Sequence, residues 1–307
     1  MQSRAVPPTP TVYNVLLQLA MKMAPHSLLV SVVLLAQLGA LPAQVVASQV
    51  SNGDPSAAGS CESAEECFLA AAQPKERLGH QLTKDQVSAL KLERLRLVTE
   101  RFPGSVWAKR AGVLSGVLLV ERNPSAAITF LRTGQRDLPV LDDYLRLWMG
   151  EATLHLGDAK EAAGLFESVI QAVPDSNLSS LVALRAGEAW YQAASCPEAL
   201  GWLAKAVANN DKDKDPLVAR AWLRMAACQL RAGQIVEGRT TLKQLWVRFA
   251  YAPEAKEAEA LLLTNLGGEP WAASAEDHFT RAQAFLGQAL HAEAIEELKR
   301  FLAMEPG

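Results

Sequence analysis

Small side chains recur at a fixed spacing along the chain, and this recurrence constrains the fold more than any other feature. Gly150 is followed twelve residues later by Ala162, and Phe166 lies four residues beyond that alanine. The same spacing recurs in three further segments, which contain Gly187, Ala199 and Leu203; Ala226, Gly238 and Leu242; and Ala282, Ala294 and Leu298. Two antiparallel helices can approach closely only where both carry small side chains, and a large apolar residue one turn later fills the space beside the crossing.

A looser copy of the pattern, Leu114, Ala126 and Phe130, precedes the other four. The small residues of the second helices fall at 126, 162, 199, 238 and 294, so successive steps are 36, 37, 39 and 56 residues. Each hairpin leaves one apolar face uncovered, so it must stack on a neighbour. The sequence therefore predicts an all-α solenoid over 76–307, with hairpins at about 106–136, 143–175, 179–209, 217–250 and 274–306 and an extra helix at about 252–266.

These spacings resemble the tetratricopeptide repeat, in which the same series ends in a proline, as at Pro174 and Pro306. The resemblance implies a right-handed α-solenoid of helical hairpins whose concave face binds proteins or extended peptides. The first helix of each hairpin lines that face. Positions just after the small residue, together with the starts of the helices, supply the candidate binding residues, which are Tyr144, Glu151, His155, Glu188, Tyr191, Gln192, Arg220 and Arg231.

A narrower resemblance covers about residues 95–307. The segments ERFPGSVWAKRAGVLSG (100–116), DDYLRLWMGEATLHLGDAKEAAGLFESVIQAVPDS (142–176) and AEDHFTRAQAFLGQALHAEAIEELKRFL (275–302) look like parts of the superhelix of soluble lytic transglycosylases. That family is exported to the periplasm, where it cleaves peptidoglycan. The resemblance implies a non-catalytic superhelix that positions a cell-wall enzyme or its substrate. The alternative is a free-standing envelope assembly or secretion scaffold with no link to peptidoglycan cleavage.

Catalytic signals do not accompany this resemblance. The family's catalytic domain carries a Glu-Ser pair followed by Gly-x-Met-Gln, whereas Glu62-Ser63 and Glu167-Ser168 lack that continuation. The chain also has no G-x-S-x-G, H-E-x-x-H or P-loop motif. We therefore expect no catalytic residue, cofactor or metal site in this chain, which leaves open that it is a fragment of a longer peptidoglycan enzyme. The apolar residues of its last helix, Ala294, Ile295, Leu298, Phe301 and Leu302, are expected to lack part of their covering.

The N-terminal segment indicates export. Residues 28–47 carry no charge, and Lys22 precedes them. This pattern favours a signal peptide over 1–47, cut near Ala43 or Ala47, with an uncleaved membrane anchor as the alternative. Residues 48–75 are expected to form a flexible exported linker.

Export also changes what the cysteines can do, because exported thiols can oxidise. Cys61 and Cys67 either close a small loop or stay free, and the pairing of Cys196 with Cys228 is left open. The net charge of −3, with lysine and arginine scattered among the acids, excludes a nucleic-acid partner. The expected partners are other envelope proteins, peptide segments or peptidoglycan, with the membrane reached only through the N-terminal segment.

Overall fold

The computed structural model describes residues 61–72, 83–209, 216–264, 266–268 and 270–304. The predicted leader, 1–47, and most of the predicted linker lie outside these residues. Within the described ranges all regular structure is helical, which confirms the all-α prediction. None of the helices described is both long and apolar enough to cross a membrane.

Thirteen α-helices lie in the described ranges. They are α1 (Ala64–Ala72), α2 (Lys84–Arg101), α3 (Val106–Leu119), α4 (Pro124–Asp137), α5 (Asp142–His155), α6 (Ala159–Ala172), α7 (Ser179–Gln192), α8 (Cys196–Asn209), α9 (Pro216–Arg231), α10 (Ile235–Arg248), α11 (Pro253–Leu262), α12 (Ala275–Leu286) and α13 (His291–Met304). Short 3-10 turns lie at Pro139–Leu141 and Leu266–Gly268. The chain divides into two compact units, Met1–Leu114 and Ser115–Gly307.

The first unit contains a helix where the sequence suggests a flexible linker. Helix α1 lies within the predicted linker, and a disulfide joins Cys61 to Cys67 at its start. Phe68 is buried, and its ring centroid lies 5.3 Å from that of Trp107. The disulfide and this aromatic contact order the segment, so the linker prediction does not hold for residues 64–72.

Helix α2 is a second element that the small-residue spacing does not reveal. It begins at a capping box in which Thr83 and Gln86 accept hydrogen bonds from each other's backbone N–H groups. Leu95 and Val98 are its buried residues. The cap and a narrow apolar stripe therefore both support the helix.

In the second unit the crossings follow the predicted pattern. Ala162 and Phe166 of α6 are fully buried, and a Cβ placed on Gly150 of α5 would lie 2.5 Å from the Phe166 ring. The next hairpin repeats this geometry, because a Cβ on Gly187 would lie 2.6 Å from Leu203 Cγ. The glycines thus allow the two helices of these hairpins to touch, and the fully buried Ala282 and Ala294 occupy the same places in α12–α13. The hairpins form a tetratricopeptide-like α-solenoid.

The hairpin formed by α3 and α4 follows the same pattern, but shifted by one residue. The expected set was Leu114, Ala126 and Phe130, yet Phe130 is 40% exposed. Ala127 and Leu131 are fully buried, and Gly116 lies against Leu131. The predicted register is therefore wrong by one position, because Ser115, Ala127 and Leu131 also fit the spacing and bury the apolar face correctly.

The turns of the α5–α6, α7–α8, α9–α10 and α12–α13 hairpins use a left-handed backbone. Gly157 and Gly233 supply it with φ of 87° and 76°, whereas Ala194 and Ala289 occupy the same place with φ of 60° and 58°. Alanine adopts a positive φ less readily than glycine, because its Cβ crowds the backbone there. The turn geometry is therefore set by the hairpin packing even where the residue does not favour it.

Helix α11 is the extra helix, and it belongs to the core of the solenoid. Leu262 of α11 is buried in one cluster with Leu242 and Trp246 of α10 and Leu223 of α9. In the last hairpin, α13 buries Ala294 but leaves Ile295 and Leu302 exposed at 52% and 62%. Part of its apolar face is thus uncovered within the described residues.

Close packing at Gly187 can be tested by substitution. We expect Gly187→Ala to lower the free energy of unfolding by roughly 1–3 kcal/mol, because the added methyl group collides with Leu203. Urea denaturation followed by circular dichroism measures the change.

Gly201 provides a matched control in the same hairpin, since a Cβ there would meet no atom within 4 Å. Gly201→Ala is expected to raise stability by about 0.5–1 kcal/mol, because alanine favours the helix over glycine. Equal effects of the two substitutions would show that the crossing does not depend on the missing Cβ.

Candidate protein-binding surface

Helices α5, α7 and α9 of the second unit carry all eight side chains that the sequence selects. We call the exposed and half-buried side chains of α5, α7, α9 and α11 the first-helix surface. Two arrangements occur on it. One is a chain of ion pairs that runs from helix to helix, and the other is a cluster of two arginines around a tyrosine.

The ion pairs connect three of the predicted residues. Arg185 Nε donates to Glu151 Oε1 at 2.5 Å, and the same guanidinium also pairs with Glu188. The remaining carboxylate oxygen of Glu188 lies 3.6 Å from Arg220 Nη1, and Arg220 Nε lies 3.6 Å from Glu254 Oε1. Glu151, Arg185, Glu188, Arg220 and Glu254 thus form an ion-pair ladder across α5, α7, α9 and α11.

The ladder lies in a poorly hydrated setting. Glu188 and Glu254 are buried, and Arg185 and Arg220 are largely so. Burial alone would lower the pKa of Arg185, but the charges and hydrogen bonds of Glu151 and Glu188 outweigh it and raise the pKa. Glu151, Glu188 and Arg220 are paired within the ladder, so they hold the stack together and are not free to bind a ligand. Among the ladder's carboxylates, Glu254 has one buried oxygen, Oε2, without a hydrogen-bond partner in the described residues.

Two members of the ladder were not predicted from the sequence. Arg185 lies two residues before Gly187, outside the positions that were expected to face a ligand. Its distance of three residues from Glu188 is nevertheless the spacing at which opposite charges pair on a helix. Glu254 lies on α11, which is outside the repeat pattern. Only the fold brings it to Arg220.

The second arrangement surrounds Tyr191 of α7. The guanidinium carbons of Arg224 and Arg231, both on α9, each lie 4.7 Å from the centre of the Tyr191 ring. Arg231 Nη2 also donates to the Tyr191 hydroxyl at 3.1 Å. Arg231 is exposed, and Arg224 and Tyr191 are half-buried. The structure therefore brings the predicted Tyr191 and Arg231 together and adds Arg224.

The other predicted residues divide between the core and the surface. Tyr144 is 1% exposed, so it belongs to the core and does not face a ligand as expected. Burial, together with the nearby Asp143 charge, raises the pKa of its hydroxyl. His155 and Gln192 are exposed at the last residues of α5 and α7.

A further polar network lies inside the last hairpin. Glu297 of α13 accepts from Arg281 Nε at 3.0 Å and lies 2.7 Å from His278 Nδ1, and Arg281 also lies over the Trp246 ring at 4.1 Å. These groups are buried and paired with one another, so the network joins α10, α12 and α13. No group of three or more metal-ligating side chains occurs in the described ranges.

Disulfides join all four cysteines. Besides Cys61–Cys67, Cys196 at the start of α8 is bonded to Cys228 of α9, with 5.2 Å between their Cα atoms. Cys228 is fully buried. The second bond therefore crosses from one hairpin to the next, beside the Tyr191 cluster.

Comparison with known proteins agrees with this geometry. A family model described as the tetratricopeptide repeat matches residues 144–176 and 220–250, which correspond to the α5–α6 and α9–α10 hairpins. Both hairpins are therefore similar to the tetratricopeptide repeat. A comparison with curated proteins gives no significant match.

Solved structures of tetratricopeptide proteins resemble the chain in fold. A tetratricopeptide repeat protein from Parabacteroides merdae shares 13% identity, with a TM-score of 0.49, over 78% of this chain and 93% of its own. YrrB, described as a tetratricopeptide protein with an unusual peptide-binding site, shares 15% identity with a TM-score of 0.41, over 70% of this chain and 94% of its own. MamA of strain AMB-1 shares 18% identity with a TM-score of 0.38, over 65% of this chain and 92% of its own. None of these three structures, nor the matched model, is that of a lytic transglycosylase.

Removal of Arg185 tests the structural role of the ladder. We expect Arg185→Leu to lower the free energy of unfolding by about 3 kcal/mol, because it leaves the buried Glu188 without its closest partner. Chemical denaturation measures the loss.

Lys299→Ala serves as the control, since the Lys299–Glu296 pair is exposed on α13. Exposed pairs add little to stability. If both variants were as stable as the original chain, the ladder would not hold the hairpins together.

Proposed function

We propose that the chain is an exported scaffold of the tetratricopeptide type that binds a protein segment along its first-helix surface. The observation that carries the proposal is a row of uncovered side chains at equivalent places. His155, Gln192 and Arg231 are the last residues of α5, α7 and α9, and all three are exposed. Stacked hairpins repeat such a row at regular intervals, which suits an extended segment.

The cysteines support export. Both pairs form disulfides, and such bonds persist in oxidising compartments and are rare in the cytosol. The predicted leader over 1–47 supplies a route to that compartment. We infer a location in the cell envelope, on the periplasmic side, with any membrane contact made through the N-terminal segment.

Within the envelope, the first candidate is a free-standing scaffold that assembles other proteins. Protein contacts suit the mixture of charged, amide and aromatic groups on the first-helix surface. A superhelix that acts with a lytic transglycosylase on peptidoglycan is the second candidate, and it is favoured by the three sequence segments that resemble that family. Both functions would use the first-helix surface. The first requires a protein ligand there, and the second requires peptidoglycan or the enzyme that cleaves it.

Site-specific cross-linking tests the binding face. A photoreactive amino acid at Gln192 or His155 is expected to give protein adducts in intact cells. The same group at Lys160 or Glu198 should give none, because these exposed residues lie on the second helices α6 and α8. Adducts formed equally from all four positions would contradict binding along the first-helix surface.

Two further measurements separate location and role. Cell fractionation should recover the full chain in the periplasmic fraction with its cysteines resistant to alkylation, and recovery with free thiols in the cytosol would contradict export.

Purified peptidoglycan sacculi should not retain the chain if it is a free-standing scaffold. Retention that is unchanged by protein partners would instead favour the second candidate.

A further inference from the structure

We propose that Arg224, Arg231 and Tyr191 form a site for a carboxylate side chain of an acidic protein segment, and that the Cys196–Cys228 disulfide holds this site together. This inference rests on the proposed function for the kind of partner, because it places an acidic residue of the bound segment at one point of the first-helix surface. It adds the chemistry that would select that segment.

The site consists of two positive groups in contact with one aromatic ring. Both guanidinium carbons lie 4.7 Å from the Tyr191 ring centre, a distance at which the ring quadrupole attracts a cation. One of the two, Arg231, is also fixed by its hydrogen bond to the Tyr191 hydroxyl at 3.1 Å. The hydrogen bond uses one N–H group of a guanidinium that has five, so donors remain for a ligand.

These two arginines differ from the other arginines on the first helices of the second unit. Arg146, Arg185, Arg220 and Arg281 each pair with a carboxylate of the chain itself. Arg224 and Arg231 have no carboxylate within 4.0 Å in the part of the chain that the structure describes. Two neighbouring positive charges repel each other, so the site gains free energy when an anion binds between them or beside them.

A carboxylate on a protein segment fits this site better than a polyanion does. Nucleic acids are bound through many phosphate contacts on a broad basic surface, whereas this site offers two cations that have no carboxylate partner among the described residues, in a chain of net charge −3. The carboxylates of the ladder repel a long polyanion that runs past Glu151. A single glutamate or aspartate avoids that repulsion, and its methylene groups can contact the Tyr191 ring.

The disulfide lies in the same helical register as the two arginines. Cys228 is four residues after Arg224 and three residues before Arg231, so all three residues lie on one face of α9. Cys196 begins α8, directly after the turn that follows Tyr191. The covalent bond therefore fixes the arginine-bearing face of α9 against the hairpin that carries Tyr191. Such a positioning role reduces the ordering required when the ligand binds.

Fluorescence anisotropy with labelled peptides tests the carboxylate site. The probes are a nine-residue peptide with a single central glutamate and its glutamine counterpart. We expect the full chain to bind the glutamate peptide at least tenfold more tightly, with an affinity that falls as salt increases. The variant Arg224→Gln/Arg231→Gln is expected to lose this preference.

The control removes the same charge elsewhere. Arg132→Gln/Lys160→Gln replaces two exposed residues of α4 and α6 and should bind the glutamate peptide as the original chain does. An equal affinity for the two peptides, or an unchanged preference in Arg224→Gln/Arg231→Gln, would overturn the site. A phosphoserine peptide that binds ten times more tightly than the glutamate peptide would also overturn it, in favour of a phosphorylated partner.

The disulfide is tested separately. Cys196→Ser/Cys228→Ser is expected to weaken binding of the glutamate peptide at least threefold, whereas Cys61→Ser/Cys67→Ser should leave it unchanged. If the first variant does not fold, reduction of the original chain by dithiothreitol provides the second measurement with the same peptide. Full affinity without the Cys196–Cys228 bond would remove the positioning role.

The inference and the proposed function fail in different ways. A protein that cross-links at Gln192 in both the original chain and Arg224→Gln/Arg231→Gln would leave the proposed function standing and refute the carboxylate site as the selecting group. A glutamate preference measured with peptides, without any adduct in cells, would refute the proposed function while the site itself stands.

Discussion

Close contact between paired helices is the interaction on which the rest of the structure depends. At Gly150 and Gly187 the absence of a Cβ lets a large side chain of the partner helix occupy the crossing. The alanines opposite, Ala162 and Ala199, are fully buried. Because this contact recurs in successive hairpins, it fixes which surface each of them offers to its neighbour. The polar groups on α5, α7 and α9 meet because those contacts align the helices.

Stacking then divides the polar side chains into two groups. Those near the middle of the first helices approach the next hairpin and become a buried chain of alternating charges, as Arg185 does between Glu151 and Glu188. Those at the last residues of α5, α7 and α9 remain in contact with water, as Arg231 does. The same residue types therefore hold the hairpins together in one part of the stack and stay exposed to solvent in another.

The sequence predicts the fold well because the helix crossings are local. A small residue, its partner twelve residues later and the large residue after that lie within one hairpin, so their spacing can be read directly. The error in the α3–α4 hairpin has the same origin, because two sets one residue apart fit the spacing and only burial distinguishes Leu131 from Phe130. Helix α1 escaped prediction because a disulfide and one aromatic contact order a segment whose composition suggests a linker.

The candidate site is less predictable, because it depends on contacts between hairpins. The spacing within α7 selects Glu188 and Tyr191 but does not show that Arg220 will satisfy one and Arg224 will stack on the other. Tyr144 has the expected position on its helix and is nevertheless covered by neighbouring residues. Distances of about 33 residues along the chain, as between Tyr191 and Arg224, become direct contacts only after the stack has formed.

The bond between Cys196 and Cys228 has a mechanical consequence. An array of stacked hairpins deforms elastically, since each interface can open or slide a little under load. A covalent link across one interface makes that joint rigid, so bending concentrates at the joints on either side. The α8 and α9 helices therefore keep a fixed spacing. A partner that contacts both of them meets a surface that does not change when the neighbouring interfaces move.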